Sequence, residues 1–470
     1  MILSRIASRL LLVTAALAPW LAGARARFSG VLWLLDTAMV LAFLLVVIER
    51  VQEKRWLRVP RLAVWSVVFL LGCLALWGMQ PEPLFATSFA AEHWAFLEHK
   101  FPAALLQWPR AERLFFLAAL LLGYLATVHV GHEPAVRKRL CLTMGVSGMF
   151  VALYGLGQRW LGIGFPPWLQ IAGDNEHFNA CFFHHGAPSA CLNFAWPLLV
   201  FRAWRTDTIK GSVIVAVLLL PVVALAFPLW HSQTPWAVAA GLLMSGFSWI
   251  WLAQSRKLAP TFVLGAVVAL FLAVFTWQAA SIRQMQARYS DNWMSAEATA
   301  MDSAARDARF RAQVQLRGDH MILSSAPPRP AAWLTALRMA GDHPLIGDGP
   351  GSWVYESSLY SNDPIVNTFY QHRQFAHHDL LQTAAEWGGL AAVAWLLLWV
   401  GGIYRAAKHT LTDRPDDMGL ILALVAVALH SLVHFPLQVP ALQIWTALAL
   451  GLAWSRSPRK VAAGEPKARA

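Results

Sequence analysis

Of the chain's 470 residues 57% are apolar and 14% charged, and the formal net charge is +12. Soluble domains hold roughly 45–50% apolar and about 25% charged residues, so a soluble protein is excluded. The 25 Phe and 24 Trp exclude a disordered chain, and four Cys in this length exclude a disulfide scaffold, which leaves an integral membrane protein. The basic residues form short clusters between apolar runs rather than one patch, so topology accounts for the charge and no nucleic acid is expected as a partner.

A helix crosses the hydrocarbon core with about 20 mainly apolar residues. Twelve such stretches follow one another at 5–22, 31–48, 62–79, 113–130, 140–160, 187–204, 211–229, 235–253, 260–278, 388–404, 418–435 and 438–455. The expected fold class is therefore an all-α integral membrane protein of about 12 transmembrane helices. Threaded from a cytoplasmic N-terminus, the connections 49–61, 131–139, 202–210, 254–259 and 405–417 and the tail after 455 fall inside and carry 21 Lys and Arg. The short outside connections 23–30, 80–112, 161–186, 230–234 and 436–437 carry four. Lys and Arg concentrate on the cytoplasmic side of a plasma membrane, so both termini are expected there.

The first stretch also reads as a signal peptide, with Ser4 and Arg5, an apolar run from Leu10 to Leu21, and small residues near Ala22 to Ala26. Arg25 and Arg27, directly after it, favour an uncleaved helix. Two polar residues inside apolar runs, Asp36 and His430, either line a cavity or reach back to the interface. Cys181 and Cys191 flank a His-rich loop and either form a bridge or remain thiols.

The chain divides into spans one to nine (1–278), a large outside loop (279–387), spans ten to twelve (388–455) and a basic tail (456–470). Within the loop, 293–317 has helical spacing, and Ser325 to Pro330 reads as a linker that ends that helix. A loop of this kind caps the bundle and closes over a cavity that opens outward.

Candidate chemistry lies in the loop's second half. Gly347, Gly349 and Gly351, broken by Asp348 and Pro350, specify a tight non-helical turn in which backbone N–H groups can point at one place. No Lys-Ser/Thr follows, so it is not a P-loop; it is either an anion cradle or a sharp turn between short helices. Next, a helix over 375–387 would place His378, Gln382 and Glu386 on one face with His377 and Arg373 beside it. An imidazole that titrates near neutrality beside a guanidinium suits a general base next to an anion clamp, and the same residues also suit a solvated interfacial helix. His177, His184 and His185 in one loop and His372, His377 and His378 in another match no zinc spacing, so no metal or other cofactor is expected.

These segments resemble the bacterial O-antigen ligase and O-antigen polymerase superfamily of multi-pass glycosyltransferases. Arg329 to Trp333 looks like its Arg-x-x-x-Trp start, Asp342 to Ser352 like its His-Pro and Gly-Pro-Gly turn, and Ala376 to Gln382 like its histidine helix. Glu386 and Gly388 fit the end of that helix, and Leu429 to Pro440 agrees near the C-terminus; Cys181 to Ala190 agrees more weakly. Two positions depart from the pattern: Gln233 stands where the family has the Arg of a Ser-Arg-Gly-x-Trp segment, and His378 replaces an Asn.

The resemblance implies transfer or polymerisation of a glycan from an undecaprenyl-diphosphate carrier onto a hydroxyl, without metal, at the periplasmic face of the inner membrane. The acceptor would be a glycan, a lipid A-core or another hydroxyl. It further implies His377 as the base, Arg329 and Arg373 on the diphosphate, and His378, Gly349, Gly351 and Glu386 in the substrate site. The alternative is a transporter or flippase, or a non-catalytic component of a polysaccharide export system; a transporter commonly shows two related halves, which this sequence lacks.

Overall fold

The structure, a computed structural model, describes residues 2–23, 30–79, 110–164, 180–182, 186–204, 328–347, 349–353, 357, 375–412 and 417–455. Among these residues it is helical and contains no strand. The helices are α1 (Ile2–Ala22), α2 (Gly30–Gln52), α3 (Arg61–Met79), α4 (Arg110–Val130) and α5 (Pro134–Leu161), then α6 (Gly186–Trp204), α7 (Pro328–Asp342) and α8 (Asp379–Thr412). After α9 (Asp417–Ser431), a single 3-10 turn at Pro436–Gln438 leads into α10 (Pro440–Trp454).

Nine of the apolar stretches read from the sequence fall on these helices. Six of them, α1 to α5 and α8, are long and apolar enough to cross a membrane. The stretches 211–229, 235–253 and 260–278, the segment 293–317, Gln233, Arg373, the histidines at 177, 184, 185 and 372, and the basic tail lie outside the described residues.

Two faces of each helix explain the assembly. Leu34, Leu41 and Leu44 of α2, Trp65 and Val68 of α3, and Val393, Leu397 and Val400 of α8 are exposed, an outward apolar surface that water would not tolerate but hydrocarbon does. Inward faces carry small residues at helical spacing, such as Ala7, Ala15, Ala18 and Ala22 of α1, all buried, with Leu11 between them. Where α5 meets α6, a Cβ added at Gly148 would lie 2.3 Å from that of Ala195, so only glycine allows this approach. Helix α1 packs against α2, α5 and α10, α6 against α5 and α9, and α7 against α8.

At one end of the bundle Arg137 of α5 closes a buried clamp. Its Nε donates to Asp417 Oδ1 at 2.6 Å, its Nη2 pairs with Oδ2 of the same carboxylate, and its Nη1 reaches the Leu452 carbonyl and Ser455 Oγ at 2.6 Å each. Ser455 Oγ in turn donates to the Gly131 carbonyl at 3.0 Å. Residues 131–137, 417 and 452–455, all expected on the cytoplasmic side or at its edge, thus meet at one end.

Several boundaries differ from the sequence reading. The expected linker at 325–330 instead contains the start of α7, whose first turn accepts Pro328 and Pro330 because N–H groups there have no helical partner. The helix expected from 375 begins at Asp379, and the span expected over 418–435 ends at Ser431, before the 3-10 turn. Cys181 and Cys191 are both buried as free thiols. Asp36 is 3% exposed, so it faces the bundle interior rather than the interface.

Candidate functional site

The Gly-rich turn is built by close contact with α8. Gly388 breaks α8 with a left-handed φ of 81°, and a Cβ there would lie 2.4 Å from the Leu345 carbonyl oxygen. Gly347 is equally confined, since its Cβ would meet the Ala385 carbonyl oxygen at 2.4 Å. The two backbones can therefore bond directly: Gly389 N–H donates to the Pro344 carbonyl at 2.8 Å and Gly349 N–H to the Glu386 carbonyl at 2.7 Å.

Glu386, 2% exposed, clamps the other side of the turn. Its Oε1 accepts the Trp353 N–H at 3.4 Å and the Gln382 amide at 3.0 Å, while Gln382 Oε1 accepts the Ala376 N–H at 3.0 Å. One row of polar side chains on α8 thus fixes both the turn at 349–353 and the segment before the helix. Two groups outside the expected set complete it: Trp77 of α3 donates to the Gly347 carbonyl at 3.2 Å, and Arg113 of α4 donates to the Pro350 carbonyl at 2.9 Å. Arg113 also lies within electrostatic reach of Glu386. Neither residue carries a local motif, so nothing in the sequence pointed to them.

His377 precedes α8 in left-handed backbone, φ 55°, a conformation His tolerates better than most side chains and one that clusters at functional sites. Its carbonyl accepts the Trp333 indole N–H at 3.4 Å. His378 caps the helix, its Nδ1 accepting the Leu381 N–H at 3.3 Å. This explains the departure from the family's Asn: both side chains present an acceptor at an N-cap. The cap requires an unprotonated Nδ1, and burial pushes the His378 pKa down from 6.5 to about 4. His378 is 0% exposed, its ring edge-on to Trp333.

The sequence reading missed His434. Its ring lies edge-on to that of His377 with centroids 5.4 Å apart, and edge-on to that of His430 at 5.3 Å. Phe435 stacks on His434 at 4.3 Å and on Phe375 at 4.3 Å. The i, i+4 spacing of His430 and His434 at a helix end was the available signal. Arg329 in the first turn of α7 lies within electrostatic reach of His430, so α7 contributes both a cation and, one turn on, the indole of Trp333. His430 is buried in this row rather than at the interface. Asp379 fixes the row's far side, accepting the Leu437 N–H at 2.9 Å and the Gln438 amide at 3.3 Å. The three imidazoles meet in succession, His377 to His434 to His430, and among the described residues no three His, Cys, Asp or Glu side chains are grouped to hold a metal ion.

The structure therefore brings together His377, His378 and Arg329 on one side of the first turns of α8, and Gly349, Gly351 and Glu386 on the other. On that second side a cavity of about 130 Å³ runs from Arg113, Gly351 and Glu386 inward past Leu117, Leu121 and Leu450. His377 is not among its lining residues.

Residues 214–396 match the family model described as O-Antigen ligase. The match takes in α7, the Gly-rich turn, His377 and α8 beyond its kink, and it supports the superfamily that the motifs resemble. No curated protein matches the chain. The match and the apolar helices together support a multi-pass membrane protein and, in general terms, O-antigen ligase-like glycosyl transfer.

Proposed function

We propose, with the O-antigen ligase domain at residues 214–396 as the premise, that the protein moves a glycan from an undecaprenyl-diphosphate carrier onto an acceptor hydroxyl at the periplasmic face of the bacterial inner membrane. It acts as a ligase or a polymerase, and the acceptor is a lipid A-core, a growing glycan or another hydroxyl. Both termini lie in the cytoplasm, as the distribution of Lys and Arg requires.

His377 takes the proton of the acceptor hydroxyl as its oxygen attacks the anomeric carbon, and the diphosphate departs with the bonding pair. Arg329 and Arg373 neutralise the charge that develops on it. Attack opposite the leaving group inverts the anomeric centre. The Gly-rich turn, its N–H groups spent on Glu386 and on its own carbonyls, walls the apolar cavity beside it, and that cavity suits the carrier's hydrocarbon chain. No metal or other cofactor enters the reaction.

The observation that carries this reading is the placement of His377, held in left-handed backbone against a buried row of imidazoles whose far member lies within reach of Arg329. The test is incubation of the purified protein with a glycan on undecaprenyl diphosphate and an acceptor, in the presence of chelator. Inverted product is expected. Donor that only crosses the bilayer of a reconstituted vesicle, without product, would replace this reading with transport.

A further inference from the structure

We infer that His434 and His430 form a proton path from the base to the leaving group. The inference rests on the transfer reading above and extends it to two residues outside the matched 214–396 segment.

Three observations place them in that role. First comes spacing: successive ring centroids lie 5.4 and 5.3 Å apart, with interplanar angles of 85° and 78°. Two imidazole radii of about 1.2 Å plus an N–H···N bond of about 3 Å add to nearly this separation, so small ring rotations bring nitrogen to nitrogen. Second is confinement. His377, His434 and His430 are 6%, 7% and 1% exposed, so bulk water reaches the row poorly and a proton held on His377 needs an internal acceptor. The His434 ring is fixed by Phe435 stacked on it and by Gly186, where a Cβ would lie 2.2 Å from the imidazole. Third is direction: the row ends at His430, the imidazole on which the Arg329 charge acts. Its two ends are thus the base and the cation that holds the diphosphate.

The balance follows from these positions. The acceptor O–H bond breaks as the new bond to the anomeric carbon forms, and the proton goes to His377. The bond from the anomeric carbon to the diphosphate oxygen breaks, and its electrons leave with the diphosphate. A proton passes from His377 to His434, a second from His434 to His430, and a third from His430 to a diphosphate oxygen at Arg329, which restores all three imidazoles. An imidazole can take up a proton on one nitrogen and release one from the other near neutral pH, whereas a Gln or Asn amide forms hydrogen bonds at both ends without being protonated.

The test uses full-length purified protein and transfer from an undecaprenyl-diphosphate glycan. His434→Gln keeps polar contacts but cannot pass a proton, and it should lower kcat by about 10²-fold with KM for the donor near parental. His434→Ala leaves a ring-sized space beside Gly186, and free imidazole in the buffer should restore much of its lost rate. A His434→Gln enzyme at the parental kcat would overturn the inference. So would a slow His434→Ala enzyme that imidazole fails to restore, since that assigns His434 a packing role alone. A fully active His377→Ala protein would instead remove the base from which the path starts, and a parental protein that forms no product would remove the underlying transfer reading.

Discussion

Among the described residues, the buried polar clusters around Arg137 and around His377 are built on opposite principles. At the Arg137 end a guanidinium meets a carboxylate and two further oxygens, and none of the residues that supply them has a positive φ. Charge is matched by charge, and nothing is left for a ligand. At the His377 end the groups are imidazoles in a row, the backbone is left-handed at His377, Gly349, Gly351 and Gly388, and the carboxylates of Asp379 and Glu386 are spent on loop N–H groups. One end fixes helices to each other. The other fixes loops around groups that can take up and release a proton, and a fold that needed only stability would not keep left-handed backbone there.

The comparison breaks first if activity does not follow the second cluster. Arg329→Ala and Arg373→Ala should each lower transfer by about 10²-fold or more, and Arg→Lys should recover only part, because an ammonium cannot replace a bidentate fork on phosphate. Rates of purified, monodisperse variants check this. Equal rates for both Ala variants and the parent would remove the diphosphate assignment.

Arg137→Ala should act in the opposite way. Removing one partner of a buried ion pair costs about 3–5 kcal/mol, so yield and melting temperature should fall while the rate per folded molecule stays near parental. A large loss of kcat in the folded fraction would erase the distinction between the two ends.

The smallest effect concerns His378. Its pKa drops from 6.5 to about 4 on folding, so between those values the folded state binds fewer protons than the unfolded one. Its contribution to stability is therefore complete above pH 6.5 and is lost as pH falls toward 4. His378→Asn should keep transfer within a few-fold at neutral pH and flatten that decline in thermal melts over the same range. An Asn variant with an unchanged pH dependence would place the titration elsewhere.

How much of this was legible in the sequence depends on the length of the signal. The long apolar periods of α1 to α5 and α8 were readable because each carries its own composition, and the Gly-rich turn because positive φ at 349 and 351 demands residues of that kind. His377 and Glu386 were legible through the motifs on one local stretch. The start of α8 was not, because His378 serves as a cap through a ring nitrogen, and His is not a residue that usually announces an N-cap. Trp77, Arg113 and His434 were hidden for another reason. They reach Gly347, Pro350 and His377 from α3, α4 and the turn after α9, across 270, 237 and 57 residues, and only His434 left a local trace, its i, i+4 spacing from His430.

The central claim is that His377 is the base of a glycosyl transfer. Its most direct test is the rate of His377→Ala, purified and monodisperse, with an undecaprenyl-diphosphate-linked glycan, an acceptor and chelator. Loss of a general base typically costs about 10²–10⁴ in rate, so product should fall by that factor while the melting temperature stays close to parental. A His377→Ala protein that transfers glycan at the parental rate would contradict the account.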